Sequence, residues 1–149
     1  MIETTQDINT KVSNSRVAYF SLNISFMAII MAIFIYSAFY KFNSHRIPAL
    51  LTQETGIVPP SKGLSASFAE IVRGNISVAL ELNPHSIRIF SFFVLQFLFR
   101  AVILFALKKQ WFPINRMVTI DVSISVILFV VCFAPLIEFT LKLFAQLLH

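Results

Sequence analysis

The sequence predicts an all-α integral membrane protein: three transmembrane helices, with an interfacial amphipathic helix pair between spans 1 and 2. Three observations carry that prediction. Hydrophobic residues make up 57% of the 149-residue chain, Phe alone occurs 17 times, and the mean hydropathy is +0.79, well above globular usage. Several runs are long, uncharged and unalternating, and inside lipid such runs satisfy their backbone hydrogen bonds as helices rather than as barrel strands. Between two of these runs lies a stretch from Gly63 to Pro84 that patterns neither as a span nor as a solvated loop.

Residues 1–16 hold Glu3, Asp7, Lys11 and Arg16 with few apolar side chains, and read as a mobile polar tail. Residues 17–40 carry no charge, a run longer than a signal-peptide core and sufficient to span about 30 Å of hydrocarbon. This is span 1, retained as a signal anchor. Along it Ser21, Ser25, Ala28 and Ala32 form a small-residue stripe that lets another helix approach closely, either from this chain or from a partner subunit.

Residues 41–62 contain Asn43, Pro48, Gly56 and the pair Pro59-Pro60, all breakers of regular structure, and read as an extramembrane loop. In 63–83, Leu64, Phe68, Ile71, Val72, Ala79 and Leu82 share one side and Glu70, Arg73, Asn75, Ser77 and Glu81 the other. Gly74 ends one short helix and Asn75 N-caps the next, so this region predicts two interfacial helices with a bend. Asn83 as N-cap and Pro84 at the first helical position open span 2, residues 84–107.

Lys108, Lys109, Trp111, Pro113 and Arg116 mark 108–116 as a short basic loop at headgroup level. Span 3 covers 117–137, because carrying the helix on to Leu148 would give a rod of roughly 48 Å, and Pro135 offers the break. The remainder, 138–149, alternates Glu138, Lys142 and Gln146 with apolar residues as an amphipathic C-terminus. Lys and Arg are denser in the tail and in 108–116 than in 41–83, which places the N-terminus inside and the 41–83 region outside.

Four charges fall within or near the spans. Arg100 and Asp121 reach similar depth in an antiparallel hairpin of spans 2 and 3, and so do Arg88 and Glu138. The expectation is two interhelical pairs, weighed against arginines that snorkel to phosphates.

The net charge of +5 is scattered singly rather than gathered on one face, so anionic headgroups and not nucleic acid are the expected partner. Cys132 is the one cysteine, which excludes an intrachain disulfide and a cysteine-based zinc cluster. His45, His85 and His149 lack ligand spacing, and no phosphate loop or nucleophile elbow is present, so no metal, cofactor or catalytic residue is expected.

From Pro59 the run Pro59-Pro60-Ser61-Lys62-Gly63-Leu64-Ser65-Ala66, then Arg73-Gly74-Asn75, Ala79 and Asn83-Pro84, resembles an uncharacterised bacterial membrane family, domain of unknown function 2752. That family carries a Cys-Pro-x-Cys-Gly-x-Thr-Arg motif followed by a Gly-Asp/Asn step and an Asn-Pro step. Here both motif cysteines are replaced, by Pro59 and Lys62, and the motif arginine by Ala66, so a thiol or metal role does not transfer. The resemblance implies architecture, with Gly63 at the turn into the helix, and a bacterial cytoplasmic membrane.

The function expected from these readings is a non-catalytic accessory or scaffold subunit of a larger membrane complex, assembled with other membrane subunits. An alternative is a subunit of a small oligomeric channel or transporter, with Arg88, Gln96, Arg100 and Asp121 along a polar path. An intramembrane enzyme built on Lys62, Ser65 and His85 ranks third.

Overall fold

The computed structural model describes residues 2–40 and 58–147, with side chains over 10–40 and 58–146. Within them the chain forms α1 (Ile2–Phe39), α2 (Leu64–Val72), α3 (Ile76–Leu82), α4 (Ser86–Lys109) and α5 (Ile114–Leu147), and no strand. Thr10–Phe39, Ser86–Lys109 and Ile114–Gln146 are long and apolar enough to cross a membrane. The first part of the loop, 41–57, with Lys41, His45 and Arg46, and the terminal His149 lie outside the described residues.

Several boundaries differ from those the sequence predicts. α4 opens at Ser86 with His85 at its N-cap, so Asn83 ends α3 and Pro84 lies in the turn rather than at the first helical position, and α5 opens at Ile114. The polar segment 2–16 is not a separate tail: α1 begins at Ile2 and runs unbroken into the first span. No Gly or Pro interrupts Ile2–Phe39, and extending an existing helix costs far less than starting one. Likewise Pro135 does not end the third span, because α5 continues through it to Leu147. Proline removes one backbone donor, a loss that lipid-spanning helices absorb by local adjustment. The amphipathic C-terminal piece therefore prolongs α5.

α4 is the central element, packed between α1 and α5 and antiparallel to both, while α2 and α3 pack over its N-terminal end. Ile103, Ala106, Leu107 and Met117 form a buried apolar cluster near the α4–α5 turn, with Tyr19, Phe99, Leu104 and Ile114 against it. At the other end the phenylalanines meet. Phe68 of α2 lies 5.2 Å, centroid to centroid, from Phe90, and Phe90 lies 5.4 Å from Phe34 of α1. Phe92 joins them to α5 through Phe133 at 5.2 Å, and Phe133 stacks on Phe129 at 4.8 Å.

The α2–α3 region is held by its punctuation. Gly63 has φ of 79°, and a Cβ there would lie 2.6 Å from the Leu82 carbonyl oxygen, so two constraints require glycine. Gly74 also has a left-handed φ, 85°, but faces open space. Asn83 Nδ2 donates to the carbonyls of Pro60 and Lys62, at 2.8 and 2.9 Å, while its Oδ1 accepts the His85 N–H at 2.8 Å. One buried side chain thus ties the loop ahead of α2 to the turn through Pro84 into α4. Asn75 departs from expectation: its side chain does not cap α3 and instead donates to Glu70 Oε2 at 2.7 Å, while Arg73 binds Glu70 Oε1 at 2.6 Å.

Candidate functional site

Each span contributes two polar side chains one helical turn apart, and all six converge at one level. Tyr19 and Asn23 come from α1, Gln96 and Arg100 from α4, Asp121 and Ser125 from α5. Residues four apart share a helix face, so each pair presents both members to the same neighbours. Asn23, Gln96, Arg100 and Asp121 are buried.

Arg100 is the hub. Its Nη1 donates to Asp121 Oδ2 and to Asn23 Oδ1, the latter at 2.9 Å, and its Nη2 donates to Ser125 Oγ at 3.2 Å. The Tyr19 hydroxyl donates to the same Asp121 Oδ2. The guanidinium carbon also lies 5.0 Å from the Phe26 ring centroid, where the ring's negative face adds attraction. A buried charge is tolerated when it is both paired and hydrogen-bonded, and Arg100 and Asp121 meet that condition together.

Gln96 fits less well. Ser125 Oγ lies 3.2 Å from Asp121 Oδ1 and 3.4 Å from Gln96 Oε1, yet its single proton serves one of them. Gln96 Nε2 is buried without a hydrogen-bond partner among the described residues. A concavity of about 540 Å³ on α1, lined by Thr10, Lys11, Asn14, Ser15 and Ala18, includes none of these six side chains.

Of the two charge pairs expected from depth, Arg100 and Asp121 meet, and Arg88 and Glu138 do not. Glu138 instead pairs with Lys142 on its own helix at 2.6 Å, and Arg88 is exposed. The physical reason is rotation about the helix: Arg88 lies about 120° around α4 from Arg100, and Glu138 about 100° around α5 from Asp121. Ser21, Ser25, Ala28 and Ala32 all face outward, whereas Asn23, Ile30 and Ser37 face the bundle. The small-residue stripe is therefore not where α1 meets α4. Gly63, Gly74, Asn75, Asn83 and Pro84 lie at the α2–α3 end, away from the polar cluster.

Sequence reasoning missed Tyr19, Asn23 and Ser125. The signal that points toward them is a polar pair at four-residue spacing within an apolar run, present in every span, although Ser21/Ser25 and Thr119/Ser123 match it too and face outward. Among the described residues no group of three His, Cys, Asp or Glu is placed to hold a metal ion. The architecture and this cluster define a three-span helical membrane protein with a polar clamp inside. The chain matches no family model, no curated protein and no solved structure in these comparisons.

Proposed function

We propose that the protein is a non-catalytic accessory or scaffold subunit of a larger membrane assembly. The observation that carries this reading is the outward position of Ser21, Ser25, Ala28 and Ala32 on a helix whose inner face is already occupied. Helices associate in lipid by close backbone approach at small residues, and this face is left for another chain. A channel reading calls for polar side chains along a path, but Arg100, Asp121 and Ser125 bond to one another across the bundle interior. The resemblance to the uncharacterised bacterial family enters as architecture only, through Gly63, Gly74-Asn75 and Asn83-Pro84, and a bacterial cytoplasmic membrane is part of this proposal.

Co-purification of the full chain from its native membrane in mild detergent tests the proposal. The expected result is a stoichiometric partner that is lost when Ala28→Leu and Ala32→Leu are combined. A chain that remains monomeric at every gentle extraction condition overturns it.

A further inference from the structure

The two ends of the bundle carry different charge. At the α4–α5 turn the fold adds Arg16 of α1 to Lys108, Lys109 and Arg116, because Arg16 Nη2 donates to the Phe112 carbonyl at 3.5 Å. Among the described side chains the nearest carboxylate to that turn along the chain is Asp121, which is taken by Arg100. Along α1 the backbone of Asp7 lies about 14 Å from that of Arg16, and Glu3 is one turn farther. The opposite end mixes signs, since Arg73 pairs with Glu70, Lys142 pairs with Glu138, and α3 there adds Glu81.

The cationic end also carries amphipathic rings. Trp111 packs edge-on against Phe105 at 5.4 Å, and Lys109 Nζ sits 6.0 Å from the Phe105 centroid. Trp111 and Phe112 are exposed, as residues at headgroup level are. Arg16 Nη1 is buried without a hydrogen-bond partner among the described residues, and its neighbour Nη2 is held only by the long contact to Phe112. A guanidinium with donors to spare matches the oxygens of a phosphodiester.

We propose that this end binds the phosphodiester headgroup of an anionic lipid drawn from the surrounding bilayer, with Arg16 and Lys109 as the principal contacts and Lys108 and Arg116 adding field. This requires that the three helices span a bilayer and does not depend on the scaffold reading.

Native mass spectrometry of the full chain in neutral detergent, titrated with short-chain phosphatidylglycerol, phosphatidylcholine or inorganic phosphate, tests the proposal. The expected result is retention of phosphatidylglycerol and not of the other two, weakened roughly fivefold for each charge removed in Arg16→Gln and Lys109→Gln. Arg88→Gln, which removes an exposed cation at the opposite end, leaves the affinity unchanged. Lys109→Gln alone serves if the Arg16 variant misfolds, since Lys109 is solvent-exposed. Equal retention of phosphatidylcholine, binding of inorganic phosphate as tight as that of the lipid, or an equal loss in Arg88→Gln overturns it.

Discussion

Near the α4–α5 turn the three spans are joined by directional polar bonds, whereas near α2 and α3 they are joined by phenylalanine rings. In the first region Arg100 reaches groups on both flanking helices, so depth and rotation of all three spans are fixed together. In the second, ring centroids lie between 4.8 and 6.5 Å apart, mostly edge to face, a geometry that accepts small slides with little loss. Polar contacts in lipid specify one arrangement because the alternatives leave a charge unpaired; aromatic packing supplies contact area without choosing a register.

The sharpest way to break this contrast is to remove the hub. Arg100→Leu is expected to cost about 3–5 kcal/mol in a detergent unfolding titration, because it strands Asp121 in the bundle, while the double variant with Asp121→Leu recovers most of that loss. If the double variant is as unstable as the single, the pair does not act as a clamp. Next comes the corner that closes the aromatic half. Gly63→Ala is expected to cost more than about 2 kcal/mol by thermal melting, since a left-handed φ and a backbone clash add, and Gly74→Ala about 1 kcal/mol, since only φ is at stake.

Within the rings, Phe93→Leu is expected to cost less than about 1.5 kcal/mol, as a volume-tolerant substitution should in non-directional packing. Gln96→Leu is expected to be neutral or to stabilise by about 1 kcal/mol, because the amide it removes has an unmet donor. A loss comparable to that of Arg100→Leu would show that Gln96 belongs to the clamp.

The smallest effect concerns pH outside the spans. Hydrogen bonds from Asn75 and then Arg73 hold the Glu70 carboxyl below its ordinary value of 4.5. A depressed carboxylate contributes stability that is present above the ordinary value and fades as pH falls through the lowered one. Carboxyl NMR should therefore report a Glu70 titration below 4.5, returning toward 4.5 in Asn75→Ala.

Some of this was legible from residue order. Span existence follows from uncharged length, and the Gly63 and Asn83-Pro84 turns follow from residue types that few other conformations require. The Arg100–Asp121 contact was legible from depth, but the same logic also produced Arg88–Glu138, which rotation about the helix rules out. Helical phase, counted from residue numbers, would have separated the two pairs and drawn Gln96 and Ser125 toward the first, while Asn23, on another helix, is beyond its reach. Pro135 misled for a different reason: length argued for a break, and the rest of α5 carried the helix across one missing donor.

The sequence by itself determined a helical membrane chain with three spans, because lipid allows long apolar runs no other way to satisfy their backbones. It also determined that the chain turns at Gly74 and at Asn83-Pro84, since glycine and proline act locally, but not which residues cap the helices there. Only the tertiary structure decided which face of each span turns inward, and hence that Tyr19, Asn23, Arg100, Asp121 and Ser125 form one cluster while the small residues of α1 face out. That choice depends on the rotation of three helices about their axes, which hydropathy leaves nearly free and which a buried guanidinium, needing acceptors on both sides, fixes.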